Sequence, residues 1–281
     1  MTLNLNPQTL KRIRRFREIK RGYYSFLFLL GLLVLLSFGE LLVNSRALMV
    51  SYDDTLYFPT YSGFHAGTDF GMDYDYEVNY RDLKARFGQE GGNNWVLMPL
   101  VPYNPLENHA PGGVFKPTPP SISNRHILGT DTTSRDILAR LFYGTRIALW
   151  FSIAFMLAVY AIGITIGCAM GYFGGVFDLI FQRFIEIWSN IPFLYMIIIV
   201  FSVIPQTFTV PTRIAILLTV MVLFSWTSMT YYMRTETYKE KSRDYIAAAR
   251  VIGASDTRII FRHILPNVLS TLVTFMPFTV V

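Results

Sequence analysis

Long apolar runs alternate with polar segments along this chain. Four of the runs reach or approach the roughly 20 residues that a helix needs to cross about 30 Å of hydrocarbon. They cover residues 22–43, 147–172, 187–204 and 214–233. A fifth run covers residues 268–281, without a charge, to the last position of the sequence. The pattern predicts an all-α polytopic membrane protein with four full transmembrane helices and an incomplete fifth.

Basic residues predict the orientation of these helices. Residues 1–21 hold seven basic side chains and one acidic one, and residues 234–263 hold seven basic and four acidic ones. Because basic segments beside apolar runs mark the cytoplasmic side, we expect a basic cytoplasmic leader over residues 1–21 and a cytoplasmic amino terminus. Four crossings then return the chain to the cytoplasm, where the second basic patch lies. The net charge of +6 therefore indicates a lipid bilayer as partner and no nucleic acid.

The segment 44–146 is expected on the external, periplasmic side. Residues 44–140 hold eleven acidic and eight basic side chains, and prolines and glycines interrupt the second half. Such punctuation is typical of turns and short strands, so we predict an irregular external segment. The acidic residues Asp69, Asp73, Asp75 and Glu77 form an alternating pattern. A calcium loop needs glycine at its sixth position, and counted from Asp73 that position is Val78. We interpret the acidic residues as a solvated face.

Composition narrows the class of protein further. Of the 281 residues 52% are hydrophobic and 16% are charged, whereas soluble domains are about 25% charged. The single cysteine, Cys168, excludes an internal disulfide, and the four histidines show no metal-ligand spacing. The sequence therefore argues against a soluble enzyme or a disulfide scaffold, and it predicts no metal site.

A charged motif precedes the second apolar run. Asp131 and Arg135, and Asp136 and Arg140, are spaced i,i+4, which favours ion pairs along a helix. A side-chain oxygen of Asp131 or of the preceding threonine is placed to cap that helix. We expect an interfacial helix over residues 131–145 that leads into the second span. The motif consists of Gly129, Thr130, Asp131, Arg135, Asp136, Arg140, Gly144 and Arg146.

Small residues recur within the second run, where Gly163 and Gly167 are four positions apart. Such small-xxx-small pairs let helix backbones approach closely. Two interpretations stay open at this point. The pair either packs against another helix or lines a path across the membrane.

Residues 244–266 follow the fourth run and have the pattern of helix, turn and helix. An alanine-rich stretch ends at Gly253, and Ser255 or Asp256 is placed to cap a second helix that ends at Pro266. Small alanines leave a narrow ridge, which fits a groove in another protein. We therefore expect a cytoplasmic docking element here.

This stretch resembles the EAA loop of bacterial ABC importer permeases. In that family the pattern is Glu-Ala-Ala, three residues, Gly, nine residues, Ile, one residue, Leu-Pro. The sequence departs at two positions, with Ala247 in place of Glu and His263 in place of Ile. The ending of the loop and the motif at 128–146 resemble the dipeptide and oligopeptide branch. The matching positions are Ala247, Ala248, Ala249, Gly253, His263, Leu265 and Pro266.

The resemblance implies a type I ABC importer permease fold in a bacterial inner (plasma) membrane. The first span is residues 22–43, the permease transmembrane domain is residues 147–281, and the EAA-like loop, residues 235–267, is the cytoplasmic element that couples to ATPases. The implied partners are a second permease subunit, two ABC ATPase subunits and a periplasmic peptide-binding protein that delivers peptides. The chain would be a transport subunit and no enzyme. It has no Gly-x-x-x-x-Gly-Lys loop, so ATP-Mg would bind in the partners and this chain would hold no cofactor.

Two alternatives stay open. The family continues through the fifth span to a sixth, so the resemblance implies a carboxy-terminally truncated permease, which could be a non-functional fragment. An ion-driven secondary transporter is disfavoured, because such proteins usually carry internal repeats and charged or broken spans. The sequence assigns no residue to substrate binding.

Overall fold

The computed structural model describes residues 14–109, 113–268 and 272–273. The chain divides into two compact units, Met1–Ile147 and Ala148–Val281. Residues 1–13 of the expected leader and most of the expected fifth span lie outside the described residues. Among the described residues three helices are long and apolar enough to cross a membrane, or four if one bent pair counts as a span.

The first apolar run forms helix α1, Lys20–Ser37. Leu36 is the one buried side chain of this helix, so the helix presents its apolar surface outward, as a helix in lipid does. It ends before the predicted boundary at residue 43. A 3₁₀ turn at Gly39–Leu41 follows, and at Gly39 a Cβ would lie 1.7 Å from the ring of Phe142. The absence of a side chain at Gly39 therefore allows this turn to pack against Phe142.

The external segment contains the predicted short strands, but it is not irregular. Two residues with positive φ, Asp53 (46°) and Asp54 (57°), form the tight turn that a two-residue hairpin requires. Val50 pairs with Tyr57 on one side and with Val96 on the other, in an antiparallel sheet of order β2-β1-β3. The elements are β1 (Met49–Tyr52), β2 (Thr55–Tyr57), α2 (Pro59–Ser62), α3 (Tyr80–Glu90) and β3 (Trp95–Leu97).

A small apolar core holds this sheet to helix α3. Val50 of the sheet, Phe70 of a 3₁₀ turn and Leu83 of α3 are all fully buried in one cluster. Tyr52 adds aromatic contacts, since its ring stacks on that of Phe87 at 5.8 Å. The external segment is therefore a folded domain with its own core, which the proline-rich and acidic composition concealed.

Helix α4, Ile137–Phe173, contains the predicted second span and is about 55 Å long at 1.5 Å per residue. The predicted fourth span lies within α7, Val210–Lys241. The predicted third span, 187–204, does not form a single helix. The chain there forms α5 (Gly175–Ser189) and α6 (Phe193–Val203), bent by 66°.

The bend between α5 and α6 has a local cause. Pro192 stands at the amino-terminal cap of α6, and proline has no N–H to continue a helical ladder. Alone, the eleven residues of α6 would extend only about 16 Å, roughly half of the hydrocarbon core. Only together with α5 does α6 pass as long and apolar enough to cross a membrane.

Glycines bring α4 and α7 into backbone contact. An added Cβ would lie 2.7 Å from Met229 at Gly163, 2.5 Å from the Thr230 carbonyl oxygen at Gly167, and 2.6 Å from the Arg234 carbonyl oxygen at Gly171. Of the two interpretations of the glycine pair, the structure supports close helix packing. It also adds Gly171, one helical repeat further along.

Candidate functional site

The EAA-like loop folds as a helical hairpin, residues 244–268, in the second unit. Helix α8 covers Asp244–Val251, and its end is closed by two hydrogen bonds, from Ala254 N to Ala249 O (3.0 Å) and from Gly253 N to Arg250 O (2.9 Å). This bond pattern is the Schellman motif, which needs a left-handed residue. Gly253 supplies it with φ of +85°, so the glycine is required for the turn between the two helices.

Isoleucines anchor the hairpin to the helices of the second unit. Ile246 of α8, and Ile259 and Ile264 of the second arm, are fully buried in one cluster with Met233 of α7. The tip of the hairpin is the opposite, since Val251 and Ile252 are 88% and 86% exposed. An exposed apolar tip on a hairpin whose base is anchored by buried isoleucines is suited to insertion into a partner surface.

An open groove of about 410 Å³ lies along the hairpin. The groove is apolar at its alanines and carries Arg258 at its edge, so it offers both shape and a positive charge. Four of the seven positions that match the family pattern, Ala248, Ala249, Gly253 and His263, line this groove. The full lining is Tyr245, Ala248, Ala249, Ile252, Gly253, Ala254, Arg258 and His263.

The other predicted positions lie outside the groove. Ala247 is exposed on the neighbouring side of α8, and Pro266 is exposed beyond the groove. Leu265 packs against the buried cluster. The seven matching positions therefore divide into four that line the groove, two that are exposed outside it, and Leu265, which packs against the buried cluster.

Tyr245 fixes the base of the groove by hydrogen bonds. Its hydroxyl donates to Glu240 Oε2 (2.5 Å) and accepts from Asn267 Nδ2 (2.9 Å). Asn267 also donates to the His263 carbonyl oxygen (2.9 Å). Desolvation by burial, followed by the bond to Glu240, raises the pKa of Tyr245. The phenol therefore stays protonated and bridges α8 to the second arm.

The second arm differs from the prediction at both ends. It begins as α9, Asp256–Ile259, with Ser255 at the cap position but without a side-chain cap bond. The arm does not stop at Pro266 but remains helical to residue 268. A π-helical turn, Ile260–Ile264, precedes the proline. Wider i→i+5 bonding shifts the ladder where proline cannot donate, so the helix continues.

The external motif adopts a turn where a helix was predicted. Helix α4 begins only at Ile137. Before it, Asp131 Oδ1 accepts hydrogen bonds from Thr133 N (2.8 Å) and Arg135 N (3.0 Å), and Ser134 has φ of +59°. These bonds, with that from Arg135 N the largest cause, lower the pKa of Asp131 to about 2. The aspartate thus holds the backbone in a turn, a common alternative to helix for this residue.

The predicted i,i+4 ion pairs of this motif were also wrong. Asp131 pairs with Arg140 instead of Arg135. Asp136 is buried and its Oδ2 contacts His126 Nδ1 at 2.8 Å, while its Oδ1 caps α4 by accepting from Ala139 N (2.7 Å). The cap therefore lies several residues later than predicted, because only Asp136 immediately precedes the helix.

Two other residues of the motif make specific contacts. Arg146 Nη1 lies 3.0 Å from Glu40 Oε1. Gly129 has φ of +78°, and a Cβ there would lie 2.4 Å from the Thr118 carbonyl oxygen. Gly144 has no described atom within 4 Å of an added Cβ. The structure therefore gives the motif a structural role in the first unit, at the start of α4.

Comparisons with known proteins show the family to which this chain belongs. Residues 163–281 match the model of the binding-protein-dependent transport system inner membrane component. The chain is 39% identical to the inner membrane ABC transporter permease protein YejE of Escherichia coli, over 98% of this chain and 77% of that protein. The chain belongs to this permease family. The permease is thus a multi-pass inner-membrane transport protein and not an enzyme.

Two further relatives of the permease are similar over different lengths. The peptidoglycan transport system permease protein YejE of Agrobacterium fabrum is 32% identical, over 97% of this chain and 75% of its own. The oligopeptide transport system permease protein OppC of Lactococcus lactis is 40% identical, over 54% of this chain and 50% of its own. Similarity to YejE proteins therefore includes the domain that contains strands β1 to β3.

Sequence reasoning missed a buried ion pair in the permease. Arg234 Nε and Nη2 contact Asp178 Oδ1 and Oδ2 at 2.5 and 2.6 Å, and the Tyr238 hydroxyl donates to Asp178 Oδ2 (2.8 Å). Asp178 is 4% exposed. This clamp joins α5 to α7. The sequence contains one indication of this ion pair. Asp178 and Arg234 each place a charge in an apolar helix, and such charges need partners.

Proposed function

We propose that this chain is the transmembrane permease subunit of an ATP-driven peptide importer, which passes peptides from a periplasmic binding protein across the inner membrane. The observation that carries the proposal is the hairpin, with its apolar exposed tip and its groove next to Gly253. Membership of the permease family and the names of the relatives support the same function.

The partners follow from this function. We propose a second permease subunit and two ABC ATPase subunits, one of which receives the hairpin. The groove supports this assignment, because small side chains at Ala248 and Ala249 leave room for a partner, and Arg258 offers charge for orientation. ATP-Mg then binds in the ATPase subunits, and this chain acts without a cofactor of its own.

The orientation is part of the proposal. With the amino terminus in the cytoplasm, α1 leads outward and the domain of β1–β3 is periplasmic. Helix α4 returns inward, the bent pair α5 and α6 leads outward, and α7 returns to the hairpin. The basic excess of residues 234–263 supports this placement by the positive-inside rule. Labelling of single cysteines from each side of intact vesicles measures it directly.

Charge placed in the groove tests the coupling role. Ala248→Glu and Gly253→Glu are expected to abolish peptide uptake while membrane insertion is retained. A carboxylate buried in the docked groove without a partner opposes docking, and at Gly253, with φ of +85°, the new side chain also strains the turn. Ala247→Glu is a matched control, since it adds the same charge at the adjacent exposed position, where the family has glutamate. It is expected to transport. Unimpaired uptake by both groove variants contradicts the proposal.

The names of the relatives also define the substrate test. OppC relatives are named for oligopeptides and one YejE relative for peptidoglycan. We propose that the cargo contains peptide bonds. Competition of labelled oligopeptide uptake by unlabelled oligopeptides, and by a peptidoglycan stem-peptide fragment, separates the two kinds of cargo. If neither compound reduces the uptake of the labelled oligopeptide, the peptide assignment is contradicted.

A further inference from the structure

Three segments converge on Tyr172, in the last turn of α4. Its hydroxyl donates to Asp256 Oδ1 at 2.5 Å, and Asp256 begins the second arm of the hairpin. The Arg250 guanidinium, at the end of α8, lies over its ring at 5.2 Å. Lys241, at the end of α7, lies over the ring at 5.6 Å. Tyr172 itself is 3% exposed.

Lys241 also ties the backbone of this turn. Its Nζ donates to the Tyr172 carbonyl oxygen at 2.5 Å. The last four carbonyls of a helix have no partner within it, and a cation there is favourable to the helix dipole. The end of α4 is therefore held by α7 through its carbonyl and by the hairpin through its hydroxyl.

The contacts at Tyr172 differ in kind from the rest of the hairpin's attachment. Ile246, Ile259 and Ile264 are held by apolar packing, which is non-directional. A hydrogen bond to a carboxylate is directional and short. A displacement of the second arm is therefore passed to α4 at Asp256, and the glycine contacts with α7 carry it along the helix pair.

We infer that Tyr172 is a positioning residue that transmits movement of the hairpin to α4 through its hydrogen bond to Asp256. The inference rests on the proposed function, since the movement is that of a hairpin docked to an ATPase. It adds a specific link between the docking surface and one transmembrane helix. Neither residue lines the groove.

The test uses the whole transporter in proteoliposomes, with the binding protein, the second permease and the ATPases. Tyr172→Phe, Asp256→Asn and the double variant are compared for peptide uptake and for ATP hydrolysis. Tyr195→Phe is the matched control, because its side chain is 67% exposed. Removing a hydrogen bond to a charged group changes an equilibrium by about tenfold. Each single variant is therefore expected to lose about tenfold in peptide carried per ATP, with ATP hydrolysis retained.

The double variant distinguishes a link from general damage. If both residues act through one bond, the double variant loses no more than either single variant. Additive losses overturn the inference. The inference is also overturned if uptake and ATP hydrolysis fall in parallel and thermal stability is lower, because a merely structural role gives that result. Normal uptake per ATP in Tyr172→Phe overturns it as well.

The outcome also separates this inference from the proposed function. If the unaltered chain neither assembles with ATPases nor transports peptide, the proposed function fails and the inference fails with it. If the unaltered chain transports and Tyr172→Phe transports equally well per ATP, only the inference fails.

Discussion

The contact between α4 and α7 predicts a sharp response to one methyl group. In Gly167→Ala the new Cβ lies 2.5 Å from the Thr230 carbonyl oxygen and 2.6 Å from Met233 Cβ. Ordinary contact begins near 3.4 Å, and a backbone oxygen within a helix has no rotamer with which to move aside. The two helices must therefore separate by close to 1 Å, which loosens contacts along their whole interface.

The magnitude follows from two opposing effects. Alanine is a better helix former than glycine by about 1 kcal/mol. Overpacking of a tight interface costs about 1–3 kcal/mol, and a clash with backbone lies at the upper end. We expect a net loss of about 2 kcal/mol in the free energy of unfolding. In Gly144→Ala, on the same helix, no described atom lies within 4 Å of the new Cβ, so propensity dominates and stability rises by up to about 1 kcal/mol.

Reversible unfolding of the purified chain in mixed detergent and SDS micelles measures both variants. The expected difference between them is about 3 kcal/mol, or roughly a hundredfold in the unfolding equilibrium. Equal stability of Gly167→Ala and the unaltered chain refutes the packing argument. Equal losses in the two variants also refute it, because the loss then has no relation to the α7 contact.

Three further outcomes are expected. Arg234→Ala leaves buried Asp178 unpaired and is expected to lower the free energy of unfolding by about 3–5 kcal/mol. Arg183→Ala breaks an exposed ion pair and is expected to change the free energy of unfolding by less than about 1 kcal/mol. Unfolding in detergent measures both variants. His263→Ile restores the family residue in the groove and is expected to retain peptide uptake. The pKa of Asp131 is depressed to about 2, so its carboxylate stabilises the fold above its ordinary pKa, and this stabilisation is lost as the pH falls from about 4 through about 2. Unfolding followed by intrinsic fluorescence at several pH values measures this loss. The variant Asp131→Asn is expected to lack it.

The sequence predicted well where a pattern is local. Gly253 with its neighbouring alanines predicted the turn of the hairpin, because a left-handed position and helix propensity are properties of a few adjacent residues. Gly163 and Gly167 predicted a close helix contact for the same reason. The glycine pair did not name the helix that it contacts, which the structure shows to be α7.

The sequence failed where a local pattern had a distant competitor. Asp131 and Arg135 have ideal helical spacing, yet Asp131 bonds to nearby backbone and pairs with Arg140. The gain from an i,i+4 pair is only a few tenths of a kcal/mol, so a folded domain that needs a turn at this point overrides it. The third apolar run, 187–204, is continuous in hydropathy, yet the chain bends at Pro192, which has no N–H for a helical ladder.

The sequence by itself determined the membrane class and the position of the hairpin. In hydrocarbon every backbone polar group must be paired within the segment, so apolar length alone dictates helix. Only the tertiary structure decided the folded external domain, the clamp of Asp178 to Arg234 and the bond of Tyr172 to Asp256. The partners in these two bonds are 56 and 84 residues apart. Their pairing depends on how helices pack, and packing is a property of surfaces in three dimensions that no single stretch of sequence contains.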